Sequence, residues 1–245
     1  MEYRLLHPKL KALTNKIRDK SLREKVTELL ENPTFEIKGK KHVGLPLEVS
    51  PAGLSHHHCY LGGYVEHVVS TANLAMALCN SVEKVYHGKV NRDLVLAGVL
   101  LHDVFKPITY TINDKGNYIS TNLADYMDHL SLVISELVRR DFPIELIHIV
   151  SAHHGDYGPI RPHTVEALIC HLADLIDSRF NGEILNAAAY LSRKATGEEL
   201  QGLTAKEALE IIQSKAVEGW EGVTKTVEEI KRKRERKSKR NIRKL

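Results

Sequence analysis

The sequence predicts an all-α protein, and three observations carry that expectation. Apolar residues recur at helical spacing in one segment after another. A helix capped by Asn91 and running to Leu101 is apolar on most of its faces, which makes it central and buried. A single stretch, residues 108–120, alternates as strands do, around Asn113-Asp114-Lys115-Gly116-Asn117, and reads as a small β-hairpin.

The remaining elements follow in order. Residues 8–31 form one or two amphipathic helices, with Leu10, Leu13, Ile17, Val26, Leu29 and Leu30 on the apolar face. Asn32-Pro33 stops them. Pro33, Pro46, Pro51, Gly39, Gly44 and Gly53 mark residues 33–55 as a connecting loop. Gly62-Gly63 opens a long helix to about Tyr86, packed through Val65, Val68, Val69, Ala72, Leu74, Ala75 and Leu78. Helices are expected over 125–140, 143–153 (started near Pro143) and 163–180. Two more cover 182–195 and 204–240, joined by a linker near Gly197 and Gly202.

Composition bounds the function. The chain has 245 residues, 42% apolar and 27% charged, a globular balance that excludes overall disorder. The longest apolar runs, such as Leu94–Leu101, are too short to span a bilayer, and the N-terminal residues lack a signal-peptide core. Cys59, Cys79 and Cys170 are too scattered for a disulfide framework or a metal knuckle, so a reducing, cytoplasmic compartment is expected. Charge is uneven. Residues 231–245 hold ten Lys and Arg against Glu235, a net +9 within an overall +4, so the body is mildly acidic at −5. Such a tail either attracts phosphate backbones such as RNA or simply solvates the terminus.

The unusual number is 14 histidines. His67, His102-Asp103, His129, His153-His154 and Asp174 each interrupt or end an apolar stretch. Burying one such group unpartnered costs on the order of a few kcal/mol. The gaps of 35, 26, 24 and 20 residues deliver one cluster per successive helix. A shared metal site explains all of them, with imidazole and carboxylate donors suited to Mn, Fe, Ni, Zn or Mg. A carboxylate between two histidine clusters can bridge two ions. His148, His163 and His171 fall outside the series and read as ordinary hydrogen-bonded histidines.

The order H…HD…H…HH…D resembles the HD-domain phosphohydrolase superfamily. PAGLSHHHCYLGGYVEH, NRDLVLAGVLLHDVFK, SAHHG and RPHTVEALICHLADLIDSR resemble the HD domain of YhaM-type 3′–5′ exoribonucleases. The first stretch is also similar to archaeal HD enzymes that open a 2′,3′-cyclic phosphate on a pterin. The resemblance covers roughly residues 50–182 and implies an HD helical bundle. Residues 1–50 then form an N-terminal helical arm and loop, 51–195 the HD domain, and 196–245 C-terminal helices with the basic tail. YhaM-type enzymes also carry an OB-fold, and residues 1–50 hold no segment strand-rich enough for one.

By resemblance, two divalent metal ions are implied. His67, His102, Asp103 and Asp174 would hold the first, with Asp103 bridging, and His129 with one or both of His153 and His154 the second. Lys106 matches the lysine of the family's HDxxK and would neutralise a phosphoryl oxygen. Phe105 stands where relatives carry glycine and would narrow the pocket. His57 and His58 match a paired histidine and face substrate, support a ligand or are structural. Arg161 meets a phosphate or is a rim charge, and Asp177 orients a ligand or caps the site.

The implied function is metal-dependent phosphodiester hydrolysis of a phosphorylated small molecule or nucleotide, with Asp103 and Lys106 in catalysis. The alternatives are a 3′–5′ exoribonuclease or RNA end-processing enzyme, a di-iron oxygenase, and a non-catalytic metal-stabilised module. No membrane partner is expected, and the apolar faces of the terminal helices leave a homo-oligomer open.

Overall fold

Proline and polar caps set the helix starts. A computed structural model describes residues 6–242, with side chains to Arg236, so the side chains of Lys237, Lys239, Arg240, Arg243 and Lys244 lie outside the described residues. Pro8 opens α1 (Pro8–Thr14), and Asp19 caps α2 (Lys20–Glu31) by accepting from Leu22 N at 2.9 Å. Leu10, Leu13, Ile17, Val26, Leu29 and Leu30 are all buried.

The expected loop over 33–55 contains a hairpin, β1 (Thr34–Ile37) and β2 (Lys40–Val43), paired antiparallel with Ile37 opposite Lys40. Lys38 (φ 49°) and Gly39 (φ 75°) form its two-residue turn, with both residues left-handed as a primed turn requires. The strands are four residues each and only Phe35 is buried, so apolar alternation barely shows in the sequence.

α3 (Gly63–Lys84) follows, then α4 (Arg92–Leu101), whose Asn91 cap accepts from the Asp93 and Leu94 amides. Every residue from Val95 to Leu101 is buried, as the all-round apolarity requires, and α4 packs against α1, α2 and α3. A 3-10 turn (Lys106–Thr109) leads to β3 (Tyr110–Ile112) and β4 (Tyr118–Ser120), the anticipated small hairpin. α5 (His129–Arg139) starts later than residue 125, where Asp128 accepts from Ser131 N at 2.7 Å. α6 (Ile144–Ser151) crosses α4 so closely that a Cβ on Gly98 would collide with Ile149 Cγ2.

α7 (Val165–Thr196) is one continuous helix, not separate helices over 163–180 and 182–195. A mid-helix glycine such as Gly182 costs only about 1 kcal/mol against alanine, too little to break a well-packed helix. Gly197 and Gly202 have positive φ in the linker before α8 (Ala205–Ile242). α8 is broken at Gly219 (φ 68°, ψ −150°), a conformation open essentially to glycine alone. The two arms run antiparallel. Arg234 on the second donates to Glu207 at the start of the first and to the Gln201 and Gly202 carbonyls, while Lys231 pairs with Glu198 at 2.7 Å.

The chain divides into two compact units, Met1–Ser178 and Arg179–Leu245. The N-terminal arm joins the first unit because Leu10, Ile17, Leu29 and Leu30 share one core with Tyr64, Leu96, Leu100 and Leu146. The second unit has its own core of Ala188, Leu203, Ala208, Ile211, Val223, Val227 and Ile230. Among the described residues no helix is long and apolar enough to cross a membrane. Cys59, Cys79 and Cys170 are free thiols.

Candidate metal centre

Local geometry delivers each polar side chain of the site. Gly62 (φ 80°) and Gly63 start α3, and a Cβ on Gly63 would collide with the His58 carbonyl. The two glycines therefore let the histidine loop cross the head of α3. That loop is closed by the Ala52 N–H donating to the His58 carbonyl at 3.1 Å. His56 (φ 75°) and His58 (φ 44°) are left-handed, a strain of about 1 kcal/mol or more each that the surrounding contacts hold. His67 lies on α3. His102 and Asp103 follow the end of α4, His129 opens α5, and His153 and His154 follow the end of α6. Asp174 and Asp177 lie on α7, three residues apart.

These groups converge on Asp103. Its Oδ2 lies 3.4 Å from His67 Nε2, 3.3 Å from His102 Nε2 and 2.7 Å from Lys106 Nζ. Its Oδ1 faces the other way, 3.3 Å from His129 Nε2 and 3.8 Å from His153 Nε2. Asp174 Oδ1 completes the first set at 3.3 Å from His67 Nε2. His154 joins the second, its ring 5.2 Å from that of His129 and 4.0 Å from that of His153.

Outer hydrogen bonds fix the rings. His102 Nδ1 and His153 Nδ1 donate at 2.7 Å to the Val99 and Val150 carbonyls. His67 Nδ1 donates to Asp177 Oδ2 at 2.7 Å. Each ring therefore turns its Nε2 lone pair inward. Asp177 Oδ2 also accepts from His58 Nε2 at 2.9 Å, and His58 Nδ1 meets the Tyr60 hydroxyl at 3.0 Å.

The arrangement fits divalent cations. His67 Nε2 and His102 Nε2 stand 3.1 Å apart with both Nδ1 atoms committed elsewhere, so a cation or a shared proton must lie between the lone pairs. Among the described residues, Asp103 Oδ1 and Oδ2, His129 Nε2 and His153 Nε2 are buried without a well-directed hydrogen bond. Unsatisfied buried acceptors are costly; Lys106 already serves Asp103 Oδ2, and bound cations would satisfy the rest. Among the described residues three donor groups, His67–His102–Asp174, His129–His153–His154 and His57–His58–His67, have atoms close enough to hold an ion.

The two halves differ electrically. Burial alone would raise Asp103 and Asp174. The charges of His102 and Lys106 hold Asp103 well below the carboxylate range, and hydrogen bonds from His102 and His67 do the same for Asp174. Burial would lower the first pair of imidazoles. Hydrogen bonds to Asp103, Asp174 and Asp177 instead lift His67 well above its ordinary value, and Asp103 above all raises His102 to about 9. In the second set burial wins, lowering His129 to about 4 and His153 well below the ordinary value. Its imidazoles are neutral and ready to donate lone pairs.

The structure thus brings His67, His102, Asp103, Lys106, His129, His153, His154 and Asp174 together. His57 adjoins them, its ring 5.2 Å from that of His67 and its Nδ1 buried without a partner among the described residues. Burial, then the charges of His67 and Lys106, lowers His57 to about 3. His58 is buried, its Nε2 2.9 Å from the Asp177 carboxylate that also holds His67. Arg161 pairs with Asp156 at 2.7 Å on the surface, both side chains about three-quarters exposed. Phe105 does not narrow the pocket. It is fully buried in the core, edge-on to Phe35 with centroids 6.4 Å apart. Sequence reasoning passed over Tyr60. His171, read from the sequence as a hydrogen-bonded histidine, donates from Nδ1 to the His153 carbonyl at 2.7 Å, and a Cβ on Gly155 would strike its ring.

Helices from one unit presenting His, His-Asp, His, His-His and Asp to a common centre define an HD-type metal site, and the HD domain family matches residues 64–179. The chain belongs to that family. It is 39% identical over 219 residues to the dihydroneopterin 2′,3′-cyclic phosphate phosphodiesterase of Methanocaldococcus jannaschii, a match covering 89% of this chain and 86% of that one. It is 35% identical over 141 residues to the 3′-5′ exoribonuclease YhaM of Listeria welshimeri, covering 54% of this chain and 43% of that one. The YhaM of Oceanobacillus iheyensis is 32% identical over 180 residues, covering 65% and 54%. The chain therefore spans about half the length of these YhaM relatives. No solved structure matches it.

Proposed function

We propose that this chain is a metal-dependent phosphodiesterase that opens a cyclic phosphate carried by a small molecule. Membership of the HD family and the long match to a cyclic phosphodiesterase support hydrolysis of a phosphodiester. The observation that carries the reading is Asp103, whose two oxygens face two separate donor sets.

Two divalent cations fit those sets. One would lie with His67, His102, Asp174 and Asp103, the other with His129, His153, His154 and Asp103. Bound there, such ions supply a water acidified toward neutral pH and positive charge for phosphoryl oxygens. The chain's own residues do the rest. Burial would lower Lys106, but Asp103 above all raises it, so it stays an ammonium beside the phosphoryl group. The buried Nδ1 of His57 is placed to hydrogen-bond the substrate. Asp177, backed by His58 and Tyr60, keeps the His67 ring in register. The water oxygen bonds to phosphorus, the bond to one ring oxygen breaks, and that oxygen takes up a proton, leaving a monoester.

A second reading, 3′ exonuclease action on RNA, is favoured by the YhaM matches. One substrate separates the two. A 5′-labelled RNA ending in a 2′,3′-cyclic phosphate is incubated with Mn²⁺-loaded protein. Opening of the terminal ring without shortening is the expected result. A descending ladder would replace it with the exonuclease reading.

A further inference from the structure

The second unit sorts its cations. On the second arm of α8, Lys231 and Arg234 turn inward. They are held by Glu198 and Glu207, and Arg234 also by the Gln201 and Gly202 carbonyls. Arg232, Lys233 and Arg236 are exposed. The inward pair fixes the arm as a rigid helix, so the outward three form a fixed cationic face instead of a loose tail.

Arg232 and Arg236 are four residues apart and Lys233 and Arg236 three, spacings at which like charges repel on a helix surface; exposed Glu228, Glu229 and Glu235 offset this around Arg232 and Lys233, but Arg236 has no acid three or four residues away. Interaction with the helix dipole does not account for them. It fades beyond the last turn, and Arg232 stands ten residues before Ile242. Lys233 lies 3.9 Å from Glu229, but both side chains are more than half exposed, and such pairs hold their members weakly. An external polyanion relieves the repulsion.

We propose that this outer face of α8, Arg232–Lys233–Arg236, binds the phosphate backbone of a polynucleotide. The surroundings favour that ligand. From Glu221 to Arg236 no large apolar side chain is exposed among the described residues, so nothing there can insert into a lipid layer. No aromatic side chain stands beside the three cations to stack on a base, so recognition is electrostatic and indifferent to sequence. The face is independent of the hydrolytic reading, because the metal residues all belong to the first unit.

The test is binding of a labelled single-stranded RNA to the full chain over a range of salt, with the variant R232A/K233A/R236A alongside. All three side chains are exposed, so the fold is expected to stand, and far-UV circular dichroism checks it. Three lost phosphate contacts lower the slope of log affinity against log salt by about 2. Lys206→Ala, which removes an exposed cation from the first arm, leaves the slope unchanged. An unaltered slope in the triple variant overturns the proposal. So does binding to anionic lipid vesicles, without RNA binding, that the same variant abolishes, because that assigns the face to a membrane surface. The same variant should open small cyclic phosphates at the unsubstituted rate.

Discussion

Asp103 is the residue on which the site turns, because each of its oxygens serves a different histidine set. Asp103→Ala should abolish turnover and reduce bound metal, read by elemental analysis, with the helical circular dichroism retained. Full activity in that variant would refute the hydrolytic centre. Asp177 acts one step further out, through His67. Asp177→Asn keeps an acceptor but loses the charge, and metal affinity should fall about 10–100-fold by titration calorimetry. Glu136 tests a carboxylate remote from the metal. It is buried on α5 and bonded to Arg139 at 2.6 Å and Arg140 at 3.0 Å. Burial would raise its pKa, but the two arginines hold it below the ordinary 4.5. A depressed carboxylate stabilises the fold above its unfolded pKa and loses that effect as pH falls through the folded value. Glu136→Gln should therefore cost about 1.5–3 kcal/mol at neutral pH, and the gap should narrow as pH falls below 4.5 toward the depressed folded value. The proposed metal residues were legible in sequence because each broke an apolar helix at an even interval. Asp177 as the partner of His67 was only partly so, and Tyr60 not at all, because their contacts depend on where a loop crosses α3. Phe105 misled for the same reason, since its partner Phe35 lies on a hairpin the sequence concealed.

At the scale of elements, α4 carries the closest packing. Gly98 lets α6 approach until its Ile149 fills the space of a side chain. Gly98→Ala should destabilise the chain by about 1–3 kcal/mol in urea unfolding, against the small gain alanine normally gives a helix interior. An unchanged or raised midpoint would show that the crossing can relax. Helix identity was legible throughout, because long periodic segments report themselves. Breaks were less so. Asn181-Gly182 resembles a helix stop yet lies inside α7, while Gly219 lies within a periodic run yet reverses the chain. A glycine in sequence does not say whether its φ is positive, and only packing on either side decides that.

For the molecule as a whole, the metal donors lie in one compact unit and a separate core sustains the other. Metal that binds only the folded state stabilises by mass action, about 2.7 kcal/mol at a hundredfold excess over Kd. Chelator-treated protein should therefore melt at a lower temperature, and Mn²⁺ or Zn²⁺ should restore the melt. Calorimetry should place the shift in one transition and leave any second transition where it was. A melt insensitive to every divalent ion would argue that the histidine cluster is held by protons alone.

The rings of His102 and His153 hold one consequence for experiment. Each donates to a carbonyl three residues back, among the last four of its helix, which have no amide partner one helical turn on, although Val150 also accepts weakly from His153 N at 3.4 Å. Each ring is thus a helix cap as well as a proposed ligand, and the two duties fall on different nitrogens. Alanine at either position removes both and confounds an unravelled helix end with a missing ligand. Asparagine separates them, since its amide nitrogen falls where Nδ1 was and nothing replaces Nε2. The helix end that shapes the site is therefore finished before any ion arrives, and capture of the ion need not wait for the imidazoles to exchange tautomers.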